Sequence, residues 1–432
     1  MNQNHAAGES SYRLSPWQRK SILIVCFLLY MVNFMDRQVL SVVMEPMKQD
    51  LGLTDVQAGL LQTAFFFSMA FFAFPASFLV DTWSRRKSLA FMAVVWSVFT
   101  FATGLGRSFL GVLLPRMLVG VGEAGFPPGG TAMISAAYPE SSRGRALGIF
   151  NAAIPLGAAL GTILGGVIAG RLGGWKWPFF MFALPGIILG FVTLFLKDYK
   201  TIKVPDGIGR KGHFGRTVIE LIKIKSLRLV YLGYAMQLAM TMAFIVWAPA
   251  FLMRAQAMGV ERAGFIIGII GLMGIVGAPL GGILADAWQK RNPRGRVYLA
   301  LTSVLFSAVF LFLTVLFKLW GFGLFFGALW GVVCVSGVPA INAVSQDVVT
   351  PGARGVAWGM AGFVAMIGGA AWAPAVVGVV SDALGGGSDG LRTALLLMTL
   401  CGLLAALFYS LAARHYPADM ERVKGFALEA EK

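Results

Sequence analysis

Four charged residues stand in stretches of sequence that are otherwise apolar. Asp36 and Arg37 are neighbours inside "FLLYMVNFMDRQVLSVVM" (27–44), and Arg116 and Glu123 lie seven residues apart inside "PRMLVGVGEAGFPPGG" (115–130). Apolar surroundings drive a carboxyl group toward its neutral form, and a guanidinium beside it drives it back toward the carboxylate. A carboxyl and an arginine that part and rejoin therefore make a proton switch, with Asp36 and Glu123 as the groups that protonate. Arg37 and Arg116 serve as their partners or as contacts for an anion, because the planar guanidinium fork fits carboxylate and phosphate. The static alternative is a charge-balanced foursome that pins two helices together.

The elements that must carry these residues are long and greasy. Of 432 residues, 57% are hydrophobic and 13% charged, 54 are glycine, and the mean hydropathy is +0.74. Such a composition excludes a soluble domain and implies an integral membrane protein. A bilayer-spanning helix needs roughly 20 apolar residues. Twelve such segments can be found, centred near residues 32, 68, 97, 117, 157, 186, 241, 273, 307, 333, 367 and 402. The fold class expected is an all-α membrane protein. A charge at mid-membrane costs about 2.5–3.5 kcal/mol on insertion scales, so the four charged side chains are expected to face the bundle interior. The spacing of seven brings Arg116 and Glu123 onto one helix face, two turns apart.

The net charge of +16 reads as topology. An even number of spans puts both termini on one side, and the pieces on that side hold 26 of the 36 Lys and Arg residues, against eight on the other. That bias places both termini in the cytoplasm, of a multi-pass protein of the plasma (cell inner) membrane, and leaves no charge that calls for nucleic acid. The first 18 residues lack an apolar core and cleavage site, so the first span is expected to stay. The chain divides into a tail (1–19), a six-helix half (20–196), a cytoplasmic linker (197–228), a second six-helix half (229–413) and a tail (414–432). The linker is expected to carry a short amphipathic helix around Val218 to Lys225, lying on the bilayer surface. Cys26, Cys334 and Cys401 show no metal or disulfide spacing. His5, His213 and His415 fall outside the spans. Neither a cofactor nor a metal is implied, and no catalytic arrangement suggests an enzyme.

The halves repeat each other. "SFLVDTWSRRK" (77–87) and "GGILADAWQKR" (281–291) place Asp81 and Asp286 at the ends of spans two and eight, with a Trp and a basic cluster after each, at an offset of 205. "RGRALG" (143–148) and "RGVAWG" (354–359) match at an offset of 211. A duplicated six-helix unit is the parallel repeat of secondary transporters. With its acid and basic cluster after spans two and eight, residues 20–413 resemble the major facilitator superfamily, which implies two pseudo-symmetric six-helix bundles. The family's loop signature departs at Ser77, Thr82 and Ser84 but keeps Asp81, Arg85 and Arg86. The second copy keeps Gly282, Asp286, Lys290 and Arg291. "NFMDRQVL", "GEAGFPPGG" and "PESSRGRALGIF" resemble the anion:cation symporters. "AGLLQTAF", "VWSVFT", "RMLVGVGEA", "NAAIPLGAALG", "INAVSQDVV" and "APAVVGVVSDALG" resemble the spinster-like family and spread over both halves.

These resemblances imply a proton-coupled secondary transporter for an organic anion, working by alternating access as a monomer, with Asp36 and Glu123 as coupling sites. The alternative is a spinster-like carrier of lysolipids or sphingolipids, and a third reading is an uncoupled facilitator or receptor. Asp81, Arg85, Arg86, Asp286, Lys290 and Arg291 are expected to gate through salt bridges at the cytoplasmic helix ends. Candidates for the central cavity are Asn33, Asn151, Tyr231, Tyr234, Gln237, Trp247, Asn342, Gln346, Trp358 and Trp372, each set against a role in interface anchoring or helix bridging. "GVGEAG" (120–125) satisfies the dinucleotide fingerprint but lies inside a span, where its glycines serve close helix packing. Gly157, Gly161 and Gly165 form a similar stripe.

Overall fold

The computed structural model describes residues 14–198 and 210–429. The tails at 1–13 and 430–432 and the linker stretch 199–209 lie outside the described residues. Among the described residues, twelve apolar helices run through the molecule: α1 (Pro16–Leu51), α2 (Asp55–Val80), α3 (Arg85–Gly104), α4 (Phe109–Ala137), α5 (Ser141–Arg171), α6 (Trp177–Thr193), α7 (Lys225–Gln256), α8 (Val260–Arg291), α9 (Gly295–Leu316), α10 (Phe322–Asp347), α11 (Pro351–Ala383) and α12 (Gly387–Val423). Eleven are long and apolar enough to cross a membrane, and α6 is a shorter apolar helix. Among the described residues there is no strand. The described ends of the chain reach one face of the molecule, called here the terminal face; the opposite one is the distal face.

Local chemistry sets the helix ends. The Ser15 hydroxyl oxygen accepts from the Gln18 backbone amide while the Ser15 backbone N–H donates to Gln18 Oε1, and Pro16 fills the first turn, where its missing N–H is no loss. Thr54 and Gln57 make the same capping box on α2. Between them Gly52 turns the chain at φ +63, a left-handed conformation open to glycine at little cost. The fourth span reaches further than the apolar run suggests, continuing through "FPPGG" to Ala137 after a break at Ala124 and Gly125. The linker helix spans Arg210–Lys223 rather than Val218 to Lys225, being longer and ending two residues earlier. Ile224 then adopts an extended conformation as N-cap of α7, which separates the two helices.

The repeat extends to the irregularities of the helices. Pro46 of α1 and Pro249 of α7 are 203 residues apart, Pro75 of α2 and Pro279 of α8 are 204 apart, and the break at Gly125 in α4 matches one at Gly337 in α10. Pro155 in α5 corresponds, at 211 residues, to Met366, where α11 turns into a π-helical segment, Met366–Ala370. A proline and a π-turn both interrupt the regular ladder of an α-helix. The two halves are thus interrupted at matching points, by the same residue type in three pairs and by proline against a π-turn in the fourth.

Small residues let the helices approach closely. A Cβ on Gly157 would stand 2.4 Å from the Met31 carbonyl oxygen, and one on Gly161 2.6 Å from the Met35 Cα, so α5 lies against the backbone of α1. In the second half Gly277 and Gly281 of α8 meet the backbone of α10 at Val332 and Ser336. Contacts between the halves gather toward the distal face. Gly59 of α2 faces Pro374 of α11, Gly378 of α11 faces the Asp55 carbonyl, and Gly264 of α8 faces Thr162 of α5. Toward the terminal face Gly144 and Gly148 of α5 and Gly355, Gly359 and Gly362 of α11 have open space around them. The molecule is closed at its distal end.

Candidate functional site

All four embedded charges meet inside the first half. Arg37 donates through Nε to Glu123 Oε2 at 2.6 Å, joining α1 to α4. Arg116 Nη1 reaches the Asp36 backbone carbonyl at 3.5 Å, and Thr100 of α3 donates to Asp36 Oδ2 at 3.2 Å. The guanidinium of Arg37 stands 4.6 Å from the Phe34 ring and 5.9 Å from Phe65, and that of Arg116 stands 4.9 Å from Phe65. The ring faces thus add cation–π attraction for both guanidinium groups.

Burial divides the cluster. Asp36, Arg116 and Glu123 are fully buried, whereas the Arg37 side chain keeps 12% of its surface exposed. Several polar atoms have no hydrogen-bond partner: Asp36 Oδ1, Glu123 Oε1, Arg37 Nη2, Arg116 Nε and Nη2, and both side-chain atoms of Asn33. Native interiors rarely leave such groups unpaired, because each costs about 1–3 kcal/mol or more when charged. The cluster has room in its bonding for a proton, an anion or water. Its position follows from glycine packing, since Gly122 sets α4 against the backbone of Trp96 in α3 and Gly120 sets it against Phe65 and Ser68 in α2.

A second charged cluster, without any warning in the spacing of its residues, closes the distal face. Arg254 of α7 donates from Nε to Glu45 at 2.8 Å and makes a two-pronged contact with Asp55, Nη1 to Oδ2 at 2.8 Å and Nη2 to Oδ1 at 2.7 Å. Lys48 Nζ reaches Asp55 Oδ1 at 2.5 Å, and Ser381 of α11 donates to Asp55 Oδ2 at 2.6 Å. Asp382 accepts from the backbone amides of Asp55 and Val56 at 3.1 and 2.8 Å, so a residue of the second half caps a helix of the first. Within the second half, Trp247 of α7 donates to the Pro374 carbonyl of α11 at 3.0 Å, behind the point where Gly59 of α2 meets the same residue. The sequence offers only weak signals here, charges near span ends that topology already explains.

Two residues of the repeated loop motif, Asp286 and Arg86, bond within their own halves. Asp286 accepts from Arg296 at 2.8 Å, and Arg296 also reaches Asp347 at 2.6 Å, which in turn accepts from Tyr416. Arg86 donates to the Leu196 carbonyl, and neighbouring Ser84 to Asp198. Arg85 has interactions of its own, Lys290 and Arg291 are exposed, and the side chain of Asp81 lies outside the described residues.

Among the cavity candidates, Asn33 is buried beside Glu123. Tyr231 donates to the Ala357 carbonyl, Gln237 bridges Tyr409 and the Cys334 carbonyl, and Trp247 donates to the Pro374 carbonyl. These bonds tie helices together. Tyr234 and Trp358 are half-buried and stack at 6.2 Å with 18° between planes. Asn342 and Gln346 are half-buried and bonded to each other, Trp372 donates to the Gly368 carbonyl in the π-segment, and Asn151 is exposed. Among the described residues no group of three His, Cys, Asp or Glu side chains could hold a metal ion.

Comparison with known proteins agrees with this layout. The sequence pattern described as Major Facilitator Superfamily matches residues 26–373. Protein spinster homolog 1 of Xenopus tropicalis is 27% identical over 94% of this chain and 83% of its own length. The hexuronate transporter of Bacillus subtilis (strain 168) is 27% identical over 67% of this chain and 69% of its own. A crystal structure of a bacterial homolog of the human lysosomal transporter spinster, inward-facing and unoccupied, superposes with a TM-score of 0.84 at 22% identity, covering 94% of this chain and 99% of that one.

Proposed function

The chain belongs to the major facilitator superfamily, and on that premise we propose that this membrane transporter moves an organic anion together with protons by alternating access. The observation that carries the reading is the division of labour within the buried cluster. Arg37 alone keeps exposed surface, its Nη2 has no partner, and its Nε is held by Glu123. A proton added at Glu123 Oε1 removes the charge that holds Arg37, whose fork then accepts a carboxylate of the substrate. When the halves rock to expose the other face, loss of the proton restores the Arg37–Glu123 pair and expels the anion. Asp36, bonded by Thr100 and overlooked by Arg116, is the second carboxyl available to the proton. By the positive-inside bias the terminal face is cytoplasmic, in the plasma membrane. The closed distal seam then makes the conformation inward-facing.

The relatives named for hexuronate and for spinster frame two cargoes. A small sugar acid suits the Arg37 fork alone. An amphiphilic anion is favoured by the longer likeness to the spinster relative and by the stacked Tyr234 and Trp358. Thermal shifts of the purified protein with D-glucuronate and with lysophosphatidate distinguish the two. Proton coupling is tested in proteoliposomes loaded with whichever probe binds: Asp36→Asn and Glu123→Gln are expected to remove accumulation driven by a pH gradient. Full gradient-driven uptake by both variants would sink the coupling, and uptake indifferent to the gradient in the unaltered protein would point to a facilitator.

A further inference from the structure

Between the central cluster and the distal seam stand two buried polar side chains that neither uses. On α1, Arg37, Ser41 and Glu45 recur every fourth residue, so they share one stripe of the helix, with about 6 Å of axial rise between neighbours. On α2, Asp55 and Gln62 lie two turns apart on one face, and Phe65, which touches both arginines, follows about 4.5 Å on. The ends of both stripes are fixed by contacts: Glu45 and Asp55 meet at Arg254, and Arg37 and Phe65 meet at the central cluster. Ser41 and Gln62 therefore occupy the levels between.

Both are buried, and neither Ser41 Oγ nor Gln62 Oε1 has a hydrogen-bond partner. Several hydroxyls elsewhere in the spans satisfy themselves on the carbonyl four residues back, Ser77 on Ala73, Thr103 on Phe99, Thr162 on Ala158 and Thr193 on Leu189, whereas Thr63, Ser97 and Ser307 share the lack of a partner but lie outside the stripe that joins the two clusters. Ser41 does not take that local bond, although its own helix offers the Arg37 carbonyl. A buried hydroxyl and a buried amide oxygen without protein partners are the surroundings in which internal water binds.

We propose that Ser41 and Gln62, bridged by water, form the route by which protons travel between the distal face and the central carboxyls. The proposal rests on the proton-coupled reading above. When the seam opens, Arg254 leaves Glu45, and a hydronium ion at the distal surface protonates that carboxylate. Glu45 passes a proton to the first water and regains its charge, each water hands one proton on, and the last protonates Glu123 Oε1, which breaks the Arg37 bond. No covalent bond other than O–H forms or breaks. The charged groups that face this path are Glu45, Lys48, Asp55 and Arg254 at its distal end and Asp36, Arg37, Arg116 and Glu123 at its inner end. With the seam closed, the Arg254 guanidinium stands at the entrance and repels protons.

The test is proton uptake by the purified full chain carrying Arg254→Ala, which releases the distal seam and opens the route, in detergent after a stopped-flow pH jump, read with pyranine in weak buffer, beside the total uptake at equilibrium. Ser41→Ala and Gln62→Leu are expected to slow the phase that Glu123→Gln removes, by about a hundredfold, the low end of what a positioned proton-transfer group contributes. Equilibrium uptake should stay unchanged, and Ser41→Thr, which keeps the hydroxyl, should restore the rate. Unchanged rates in Ser41→Ala and Gln62→Leu overturn the route while leaving the coupling reading intact. If instead Glu123→Gln and Asp36→Asn take up as many protons as the protein with Arg254→Ala alone, coupling itself fails and the route with it.

Discussion

At the scale of single residues, what was legible was charge against an apolar background. Asp36, Arg37, Arg116 and Glu123 stand out because carrying them into a bilayer is costly, and the same cost forces them to meet. Thr100 could not be found that way, since hydroxyls are common in spans and usually bond to their own helix. The pairing of Arg254 with Asp55, 199 residues away, left no periodic trace either. Two predictions belong here. Arg37→Lys keeps the charge but loses the fork, so binding of an anionic probe should weaken by about tenfold or more, as expected for one charge-assisted bond. Calorimetric titration measures it, and undiminished affinity would remove Arg37 from the anion site. Arg116→Met leaves two buried carboxyls facing one guanidinium, which should cost about 3–5 kcal/mol of stability. Adding Glu123→Gln should recover part of that loss in a detergent thermal melt.

At the scale of elements, twelve spans and their order followed from hydropathy because a membrane helix must satisfy its own backbone and hide it in apolar side chains. The interruptions of the helices were only partly readable. Pro155 marks one in α5, but its counterpart in α11 is a π-turn beginning at Met366, for which the sequence holds no proline. Glycine stripes were readable as packing surfaces, and their partners came from the structure. Gly161→Val should lower the melting temperature clearly, because its Cβ would collide with the Met35 backbone, and overpacking of this kind costs about 1–3 kcal/mol or more. Gly148→Ala serves as the control: it meets nothing within 4 Å and exchanges glycine for a better helix former, so stability should hold or rise by a few tenths of a kcal/mol. Equal losses at both positions would contradict the packing assignment.

At the scale of the whole molecule, the repeat announces two similar halves, but which face they close is a difference between states and not a property of sequence pattern. The structure is closed distally by a seam whose charges are nearly all taken from water: Asp55 is fully buried, and Arg254 keeps 8% of its side-chain surface. Desolvation offsets much of the attraction within such a network, so it holds the halves only while every partner is present. Arg254→Ala leaves Glu45 and Asp55 as neighbouring carboxylates with Lys48 as the remaining cation, and opening the distal face rehydrates both. Asp382→Asn is milder, since the amide oxygen still accepts from the α2 amides while the negative charge at that helix N-terminus is lost. Spin labels at Gln49 and Asp389, both near the distal face in opposite halves, should report a longer-distance population that grows in the order unaltered, Asp382→Asn, Arg254→Ala. A loss of about 3 kcal/mol, typical of a broken buried pair, would shift the balance roughly a hundredfold. Distance distributions identical in all three proteins would mean that apolar packing at Gly59, Gly264 and Gly378 holds the distal face shut without help from the charges.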